Sequence, residues 1–172
     1  LRRQRQMCIR DRHKEGRIRA IGVTSFSNER LQDLFLHNDI KPAVNQIETH
    51  PFQQQKDANA FLKAEGIVHE AWAPFAEGQK GIFTNSVLTE IAASHCKSVA
   101  AVILRWLNQR GVVVIPKSIR ADRIRENFNI FDFRLSDAEM AAISALDEKK
   151  SPIYDDMDLA TVRAIGTYKI HD

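Results

Sequence analysis

Short apolar runs alternate along this chain with longer amphipathic segments. Four of the runs predict β-strands, at residues 18–24, 43–48, 67–72 and 112–115. None of them shows the apolar–polar alternation of a half-exposed sheet, and the run 112–115 predicts a strand buried on both faces. Strands separated by helices at this spacing predict parallel β-α-β units, and therefore an α/β fold.

The amphipathic segments predict helices, and two of them begin at clear capping signals. Ser27 is a predicted N-cap, and Ser136 with Glu139 forms the pattern of a capping box for a helix that runs through residue 146. Further helices are predicted at 55–65, 86–96, 98–109 and from residue 121 onwards. The segment 75–83 is predicted to be a loop, and the tail 147–172 to be irregular.

A cationic segment follows the last predicted strand. Pro116 ends that strand because it has no N–H to donate. Beyond it, beside the predicted start of a helix, lie one lysine, one serine and two arginines: Lys117, Ser118, Arg120 and Arg123. Cations, a hydroxyl and a helix N-terminus at the carboxyl end of a parallel strand predict an anion site of the kind that binds phosphate. A solvated charged loop is the alternative interpretation.

Polar or aromatic side chains also lie at the ends of the other three strands. Thr24 and Ser25 end the first, Gln46 lies in the second and Trp72 ends the third. Because the carboxyl ends of parallel strands meet on one side of a sheet, these groups are expected to share a pocket. An amide suits a carboxamide ligand, and an indole ring suits a planar heterocycle. The alternatives are that Gln46 satisfies a buried backbone group and that Trp72 belongs to the core.

Composition and charge narrow the class of protein. At 172 residues, with 44% hydrophobic and 27% charged side chains, the chain is expected to form one globular domain. Its net charge of +3 originates in residues 1–12, which hold five arginines and one aspartate. The rest is near neutral, so no nucleic-acid partner is expected. Residues 1–12 show no helical or strand spacing and are predicted to be disordered or foreign to the fold, which leaves 13–172 as the domain.

The cysteines, apolar stretches and histidines of the chain argue against a disulfide-rich, membrane-spanning or metal-binding protein. Two cysteines, Cys8 and Cys96, form no disulfide framework, and no apolar stretch approaches the ~20 residues of a membrane helix. A cytoplasmic location without a membrane partner is therefore expected. The six histidines lack metal-ligand spacing, so no metal is expected.

Four segments, in order, resemble motifs of the aldo-keto reductase family. They are AIGVTSF (20–26), VNQIETHP (44–51), EAWAPFAEG (70–78), and IPKS (115–118) followed by Arg123-Ile124-x-Glu126-Asn127. The likeness extends to the bacterial diketogluconate reductases of that family. It covers 13–172 and implies the C-terminal half of a TIM (β/α)8 barrel, strands five to eight with their helices.

The resemblance implies that the matched residues bind NADPH. Thr24, Ser25 and Gln46 would hold the nicotinamide carboxamide, and Trp72 would stack on the nicotinamide ring. The family usually has Ser-Asn in place of Thr24-Ser25, and many relatives have tyrosine in place of Trp72.

Other matched residues would bind the phosphates and the adenine. Backbone and side chains of three residues would flank the pyrophosphate: Ala73, Phe75 and Ala76, the last at a position where many relatives have glycine. Three more would bind the 2′-phosphate, which favours NADPH over NADH: Lys117, Ser118 and Arg123. Glu126 and Asn127 would reach the adenine.

By resemblance, the intact protein reduces an aldehyde or ketone to an alcohol. In the family, hydride passes from the cofactor to the carbonyl carbon while a tyrosine protonates the oxygen. The family's catalytic Asp, Tyr, Lys and His belong to the first four strands. This chain is therefore expected to be the cofactor-binding half, inactive until an N-terminal half-barrel completes it, with the tail 147–172 in the wall of a pocket for a small carbonyl substrate. The alternative is a non-catalytic nucleotide-binding fragment.

Overall fold

The computed structural model describes residues 2–153 and 158–168, apart from the side chains of residues 2–7 and 165. Within them, four strands form one parallel sheet in the order β1-β2-β3-β4: Gly22–Thr24, Val44–Glu48, Val68–Trp72 and Val113–Val114. Eight α-helices accompany the strands in this part of the chain: α1 Arg2–Lys14, α2 Asn28–His37, α3 Lys56–Ala64, α4 Ser86–Ser94, α5 Val99–Gln109, α6 Ala121–Phe128, α7 Asp137–Ser144 and α8 Leu159–Thr167. The predicted α/β fold with parallel strands is confirmed.

One face of the sheet is covered by helices and the other is open. Side chains alternate along each strand, so Ile47, Ala71 and Val114 lie on one face, where they pack into the core. On the opposite face, Val113 keeps 44% of its surface exposed. The prediction that the strand at 112–115 is buried on both faces is therefore wrong, because Val113 and Ile115 stay 44% and 49% exposed and no described residue covers their face of the sheet.

Two apolar clusters hold the helices on the covered face. The larger cluster joins β3 to α4, α5 and α7, and α5 contributes most to it, with Trp106 and Leu107 buried. The smaller cluster joins α2 and α3 to β2 through Leu31, Leu62 and Ile47. Full burial of such a side chain contributes about 1.5–3 kcal/mol, so these contacts stabilise the β-α-β arrangement that brings the strand ends together.

The predicted helix starts are confirmed where a side chain caps them. Ser27 accepts a hydrogen bond from the backbone N–H of Arg30, and Ser136 and Glu139 make both bonds of a capping box. Two segments differ from prediction. The loop predicted at 75–83 contains turns of 3-10 helix within Ala76–Thr84, and the tail predicted to be irregular contains α8.

The N-terminal segment is helical, although its sequence lacks helical apolar spacing. α1 extends across the predicted domain boundary between residues 12 and 13, and the Arg10 guanidinium donates to Asn38 Oδ1 at 2.8 Å. Basic residues occupy its last turn, where they interact favourably with the helix dipole. α1 is thus stabilised by these charges and by its contact with the end of α2, and not by an apolar face. That residues 1–12 are foreign to the natural protein stays a prediction.

No single described helix is both long and apolar enough to cross a membrane. One pair, α4 with α5, meets the length and composition requirement only when taken together, and the two helices are bent by 90° at their junction. The buried residues of both helices belong to the core beside the sheet.

Candidate functional site

Hydrogen bonds join the predicted site residues at the carboxyl ends of β1 and β2. Thr24 Oγ1 and Ser25 N both donate to the carbonyl oxygen of Gln46, at 3.0 and 2.9 Å. The Gln46 amide donates from Nε2 to Glu70 Oε1 on β3, at 2.5 Å. The three residues predicted to hold a carboxamide therefore lie side by side, and Trp72 lies two positions beyond Glu70 on the same strand.

Ser25 has an unusual backbone conformation. Its φ is +56°, in the left-handed region. Few residues other than glycine adopt this region, and asparagine does so several-fold more often than most. The asparagine that the family usually has here suits this geometry better than serine does.

A cavity of about 310 Å³, called here the acidic cavity, adjoins these strand ends. Ser25 and Trp72 line it. Three carboxylates also line it, with no lysine or arginine among the lining residues: Glu29, Glu48 and Asp57. Backbone hydrogen bonding and the Ser27 hydroxyl lower the pKa of Glu29, so this carboxylate stays ionised at neutral pH.

A buried network connects the tail to the acidic cavity. The Nδ1 atom of His50 accepts from the backbone N–H groups of Phe52 and Gln53, so Nε2 holds the proton and donates to Glu48 Oε1 at 2.9 Å. The second carboxylate oxygen, Glu48 Oε2, accepts from Ser151 Oγ at 2.7 Å. Both ring nitrogens of His50 are engaged and the residue is fully buried, which gives it a structural role.

A second cavity, of about 430 Å³, lies beyond the end of β4 and is called here the cationic cavity. Six of the predicted cofactor-binding residues line it: Phe75, Lys117, Ser118, Arg123, Glu126 and Asn127. Within the described chain, neither Lys117 nor Arg123 takes part in a salt bridge. Their charges are therefore not neutralised by an ion pair with any carboxylate among the described residues.

Arg120 does not join this group, contrary to the prediction of the anion site. Its guanidinium bonds to both carboxylate oxygens of Asp122, at 3.2 and 2.6 Å, and it does not line the cavity. The hydrogen bond to Asp122 raises the pKa of Arg120, and the same bond lowers the pKa of Asp122. Arg120 is thus paired with Asp122, two positions along the chain. The predicted anion ligands that remain at the cavity are Lys117, Ser118 and Arg123.

Two alanines in the loop after β3 adopt the left-handed backbone conformation. Ala73 and Ala76 both have φ +48°, a conformation that glycine adopts without the strain of a Cβ atom. This explains why glycine suits position 76. Ala76 is fully buried in the larger core cluster and lines neither cavity, so its predicted contact with the pyrophosphate stays a prediction that only its backbone could fulfil. Its neighbour Phe75 does line the cationic cavity.

The structure thus divides most of the predicted residues between two cavities, while four line neither of them: Thr24, Gln46, Ala73 and Ala76. Sequence reasoning missed Glu48, Glu70 and Ser151. Both glutamates lie inside the motifs quoted above, but the Gln46–Glu70 contact depends on the strand register and the Ser151–Glu48 contact on the tertiary fold. In the described chain, no group of three or more histidine, cysteine or acidic residues could hold a metal ion.

Comparison with known proteins agrees with this arrangement. A sequence profile of the Aldo/keto reductase family matches residues 5–148. The chain is 50% identical over 147 residues to glyoxal reductase of Bacillus subtilis (strain 168), covering 84% of this chain and 52% of that protein. It is 42% identical over 137 residues to methylglyoxal reductase DkgA of Escherichia coli (strain K12), covering 80% and 50%. The solved structure of a mutant of Gox0644 in complex with NADPH matches with a TM-score of 0.81 at 34% identity, covering 86% and 54%.

Parallel β-α-β units with cavities at their carboxyl ends define an α/β protein of the kind found in TIM-barrel reductases. The chain belongs to the aldo/keto reductase family, because the family profile covers most of it and relatives share up to half of its aligned residues. It spans about half the length of the curated relatives it matches.

Proposed function

We propose that this chain binds NADPH as part of a reductase that converts aldehydes or ketones to alcohols. The observation that supports this most directly is the convergence of Lys117, Ser118 and Arg123 on the cationic cavity. Two cations and a hydroxyl suit the 2′-phosphate, which NADPH has and NADH lacks. Glu126 and Asn127 line the same cavity, where they would meet the adenine.

The nicotinamide end of the cofactor would lie at the ends of β1 to β3. Thr24, Ser25 and Gln46 would hold its carboxamide, and Trp72 would stack on the ring. The backbone of Ala73 and the side chain of Phe75 would flank the pyrophosphate between the two ends. When bound, the cofactor supplies the hydride, and these residues bind and orient it.

The proposed substrate is a small carbonyl compound, because two relatives are named as glyoxal and methylglyoxal reductases. The acidic cavity adjoins Trp72, and Ser151 brings the start of the tail to its wall. The likeness to diketogluconate reductases stays a prediction, and the acidic cavity offers no lysine or arginine that would pair with a sugar-acid carboxylate.

We further propose that the chain is the C-terminal half of the barrel and that an N-terminal half-barrel supplies the catalytic Asp, Tyr, Lys and His. The described sheet has four strands, one open face and two unpaired edges, whereas a closed barrel has eight strands. The chain also spans about half the length of its relatives. A cytoplasmic location, without nucleic-acid or membrane partners, is part of the same proposal.

Turnover separates this proposal from the non-catalytic alternative. The chain alone should oxidise no NADPH on a panel of aldehydes. Adding the part of the Bacillus subtilis glyoxal reductase that the chain does not match should restore turnover. Turnover by the chain alone would contradict the half-barrel proposal, and a soluble complex that binds NADPH without turnover would favour a non-catalytic nucleotide-binding fragment.

Fluorescence of Trp72 tests the 2′-phosphate assignment. NADPH should quench it, and Lys117→Ala or Arg123→Ala should weaken NADPH binding about tenfold because each removes a charged hydrogen-bond donor. Binding of NADH should change little. Arg125→Ala removes a similar charge from the same helix but outside the cavity, so both affinities should stay at the wild-type value. Equal losses for NADPH and NADH would contradict the assignment.

A further inference from the structure

Glu70 lies beside Gln46 on the open face of the sheet. The two residues are register partners on β2 and β3, and Gln46 Nε2 donates to Glu70 Oε1 at 2.5 Å. The same row of the sheet contains Thr24 on one side and Val113 on the other. Thr24 directs its hydroxyl to the backbone oxygen of Gln46, and valine has no polar side-chain atom. Glu70 is therefore the side chain in this row that engages the Gln46 amide.

A carboxylate at position 70 determines which way the Gln46 amide is turned. An ionised carboxylate only accepts hydrogen bonds, whereas an amide both donates and accepts. Facing Glu70, the Gln46 amide must present its NH₂ group, which leaves Oε1 free to accept an N–H elsewhere. No lysine, arginine or histidine within the described chain forms a salt bridge with Glu70 that would divert it from this role.

We propose that Glu70 is a positioning residue for the cofactor: it orients the Gln46 amide so that Oε1 accepts the carboxamide N–H of the nicotinamide. This inference rests on the proposed function, because it assumes that Gln46 contacts that carboxamide. Glu70 itself touches neither the cofactor nor the substrate. Its effect should be confined to the nicotinamide end of the ligand.

The test uses Glu70→Gln, which keeps the shape of the side chain but lets it donate as well as accept. Either orientation of the Gln46 amide then becomes compatible with its neighbour. Equilibrium dialysis of the full chain should show NADP⁺ affinity lowered about three- to tenfold, the effect of losing one well-made hydrogen bond. The exposed Glu90 on α4 offers a matched control, since Glu90→Gln makes the same charge change outside both cavities.

Two further ligands distinguish positioning from a general structural effect. Adenosine 2′,5′-bisphosphate contains the 2′-phosphate and adenine but no nicotinamide, so Glu70→Gln should not change its affinity. The 3-acetylpyridine analogue of NADP⁺ has no carboxamide N–H, so its affinity should also be the same in both proteins. Equal weakening of all three ligands, or unchanged NADP⁺ affinity, would overturn the proposed role.

The hydrogen bond can also be observed without any ligand. In the ¹⁵N-labelled chain, the Gln46 side-chain amide protons should shift when Glu70 is protonated by lowering the pH, and Glu70→Gln should abolish that shift. Absence of the shift in the wild-type chain would overturn the inference. If the wild-type chain binds neither NADP⁺ nor adenosine 2′,5′-bisphosphate, the proposed function itself fails, and the role of Glu70 fails with it.

Discussion

His69 lies on β3 with only 3% of its surface exposed, and its Nε2 atom is 2.8 Å from Thr49 Oγ1. Burial, and then the positive charge of Arg110, lowers the pKa of His69 from 6.5 to about 4. Its Nδ1 atom has no hydrogen-bond partner among the described residues. Protonation at that atom would therefore create a buried charge with no partner.

The pH dependence of stability should report this neutral histidine. Its pKa in the folded state is lower than in the unfolded state, so the unfolded chain binds the proton more readily between pH 6.5 and about 4. The stability that His69 contributes is fully present above pH 6.5 and is lost as the pH falls towards 4, by about 3 kcal/mol. Urea unfolding at several pH values measures this loss.

A histidine variant isolates the effect from that of the carboxylates. His69→Gln should unfold at lower urea concentration at pH 7 but lose less stability between pH 7 and 4 than the wild-type chain does. The exposed His37, changed to Gln, should leave the wild-type pH profile in place. Parallel profiles for wild type and His69→Gln would contradict the lowered pKa.

The positions of single site residues could be predicted from the strand pattern. Their hydrogen-bond partners could be predicted less well. Gln46 and Trp72 stood at strand ends, so their shared side of the sheet followed from parallel pairing. The bond from Gln46 to Glu70 depends on a register between residues 24 positions apart, which the pattern alone does not define. Arg120 failed as a predicted anion ligand because a carboxylate two positions away satisfies it first.

At the scale of helices and strands, the capping box of α7 is linked to its neighbour. Glu139 Oε2 accepts from Ser136 N at 2.7 Å, while its other oxygen contacts His95 Nε2, also at 2.7 Å, just beyond the end of α4. The cap therefore begins α7 and also connects it to the C-terminal end of α4. Sequence spacing identified the first function, and only the tertiary structure reveals the second.

Removal of the cap hydroxyl should destabilise the fold. Ser136→Ala should lower the free energy of unfolding by about 1 kcal/mol, because the N–H of Glu139 loses its acceptor. Ser136→Thr keeps the hydroxyl and should retain most of the stability. Denaturant unfolding followed by circular dichroism measures both variants, and an Ala variant as stable as the wild type would show that water replaces the cap.

Capping side chains account for some of the helix starts that could be predicted, but not every capped start was recognised. α2 and α7 begin at a serine whose side chain accepts from the third residue of the helix, and both starts were predicted. α8 has a similar cap, because Asp158 Oδ2 accepts from the backbone N–H of Thr161 at 2.8 Å, but this helix was not predicted. The turns within Ala76–Thr84 have no side-chain cap at their start. The segment Ala76–Thr84 contains five residues with positive φ, of which only the two glycines mark a turn in the sequence: Ala76, Glu77, Gly78, Lys80 and Gly81.

At the scale of the whole molecule, no other described strand pairs with the outer edges of β1 and β4, and one face of the sheet is not covered by described residues. Val113 and Ile115 expose 44% and 49% of their surface beside the β4 edge. An open parallel edge next to apolar side chains favours pairing with another chain. The apolar runs predicted the strands correctly, but they could not show that one face of the described sheet is uncovered, since strands buried on both faces have the same composition.

The isolated chain is therefore expected to self-associate through this edge. Val113→Lys should shift sedimentation velocity profiles towards monomer, because a charged edge residue opposes strand pairing. Leu36→Lys changes an exposed apolar residue on α2, away from the edge, and should leave the oligomer distribution as it was. The same distribution in Val113→Lys and wild type would exclude the β4 edge as the contact.

The opposite charges of the two cavities have a consequence for how a dinucleotide approaches. Carboxylates line one end of the surface, and Lys117 and Arg123 line the other, so the surface acts as an electric dipole. If NADP⁺ binds as proposed, this charge distribution would orient it before contact, with its 2′-phosphate towards Lys117 and Arg123 and its positively charged ring towards the carboxylates. At about 1 M salt the Debye length falls to about 3 Å, and that orienting torque disappears while the contacts themselves persist.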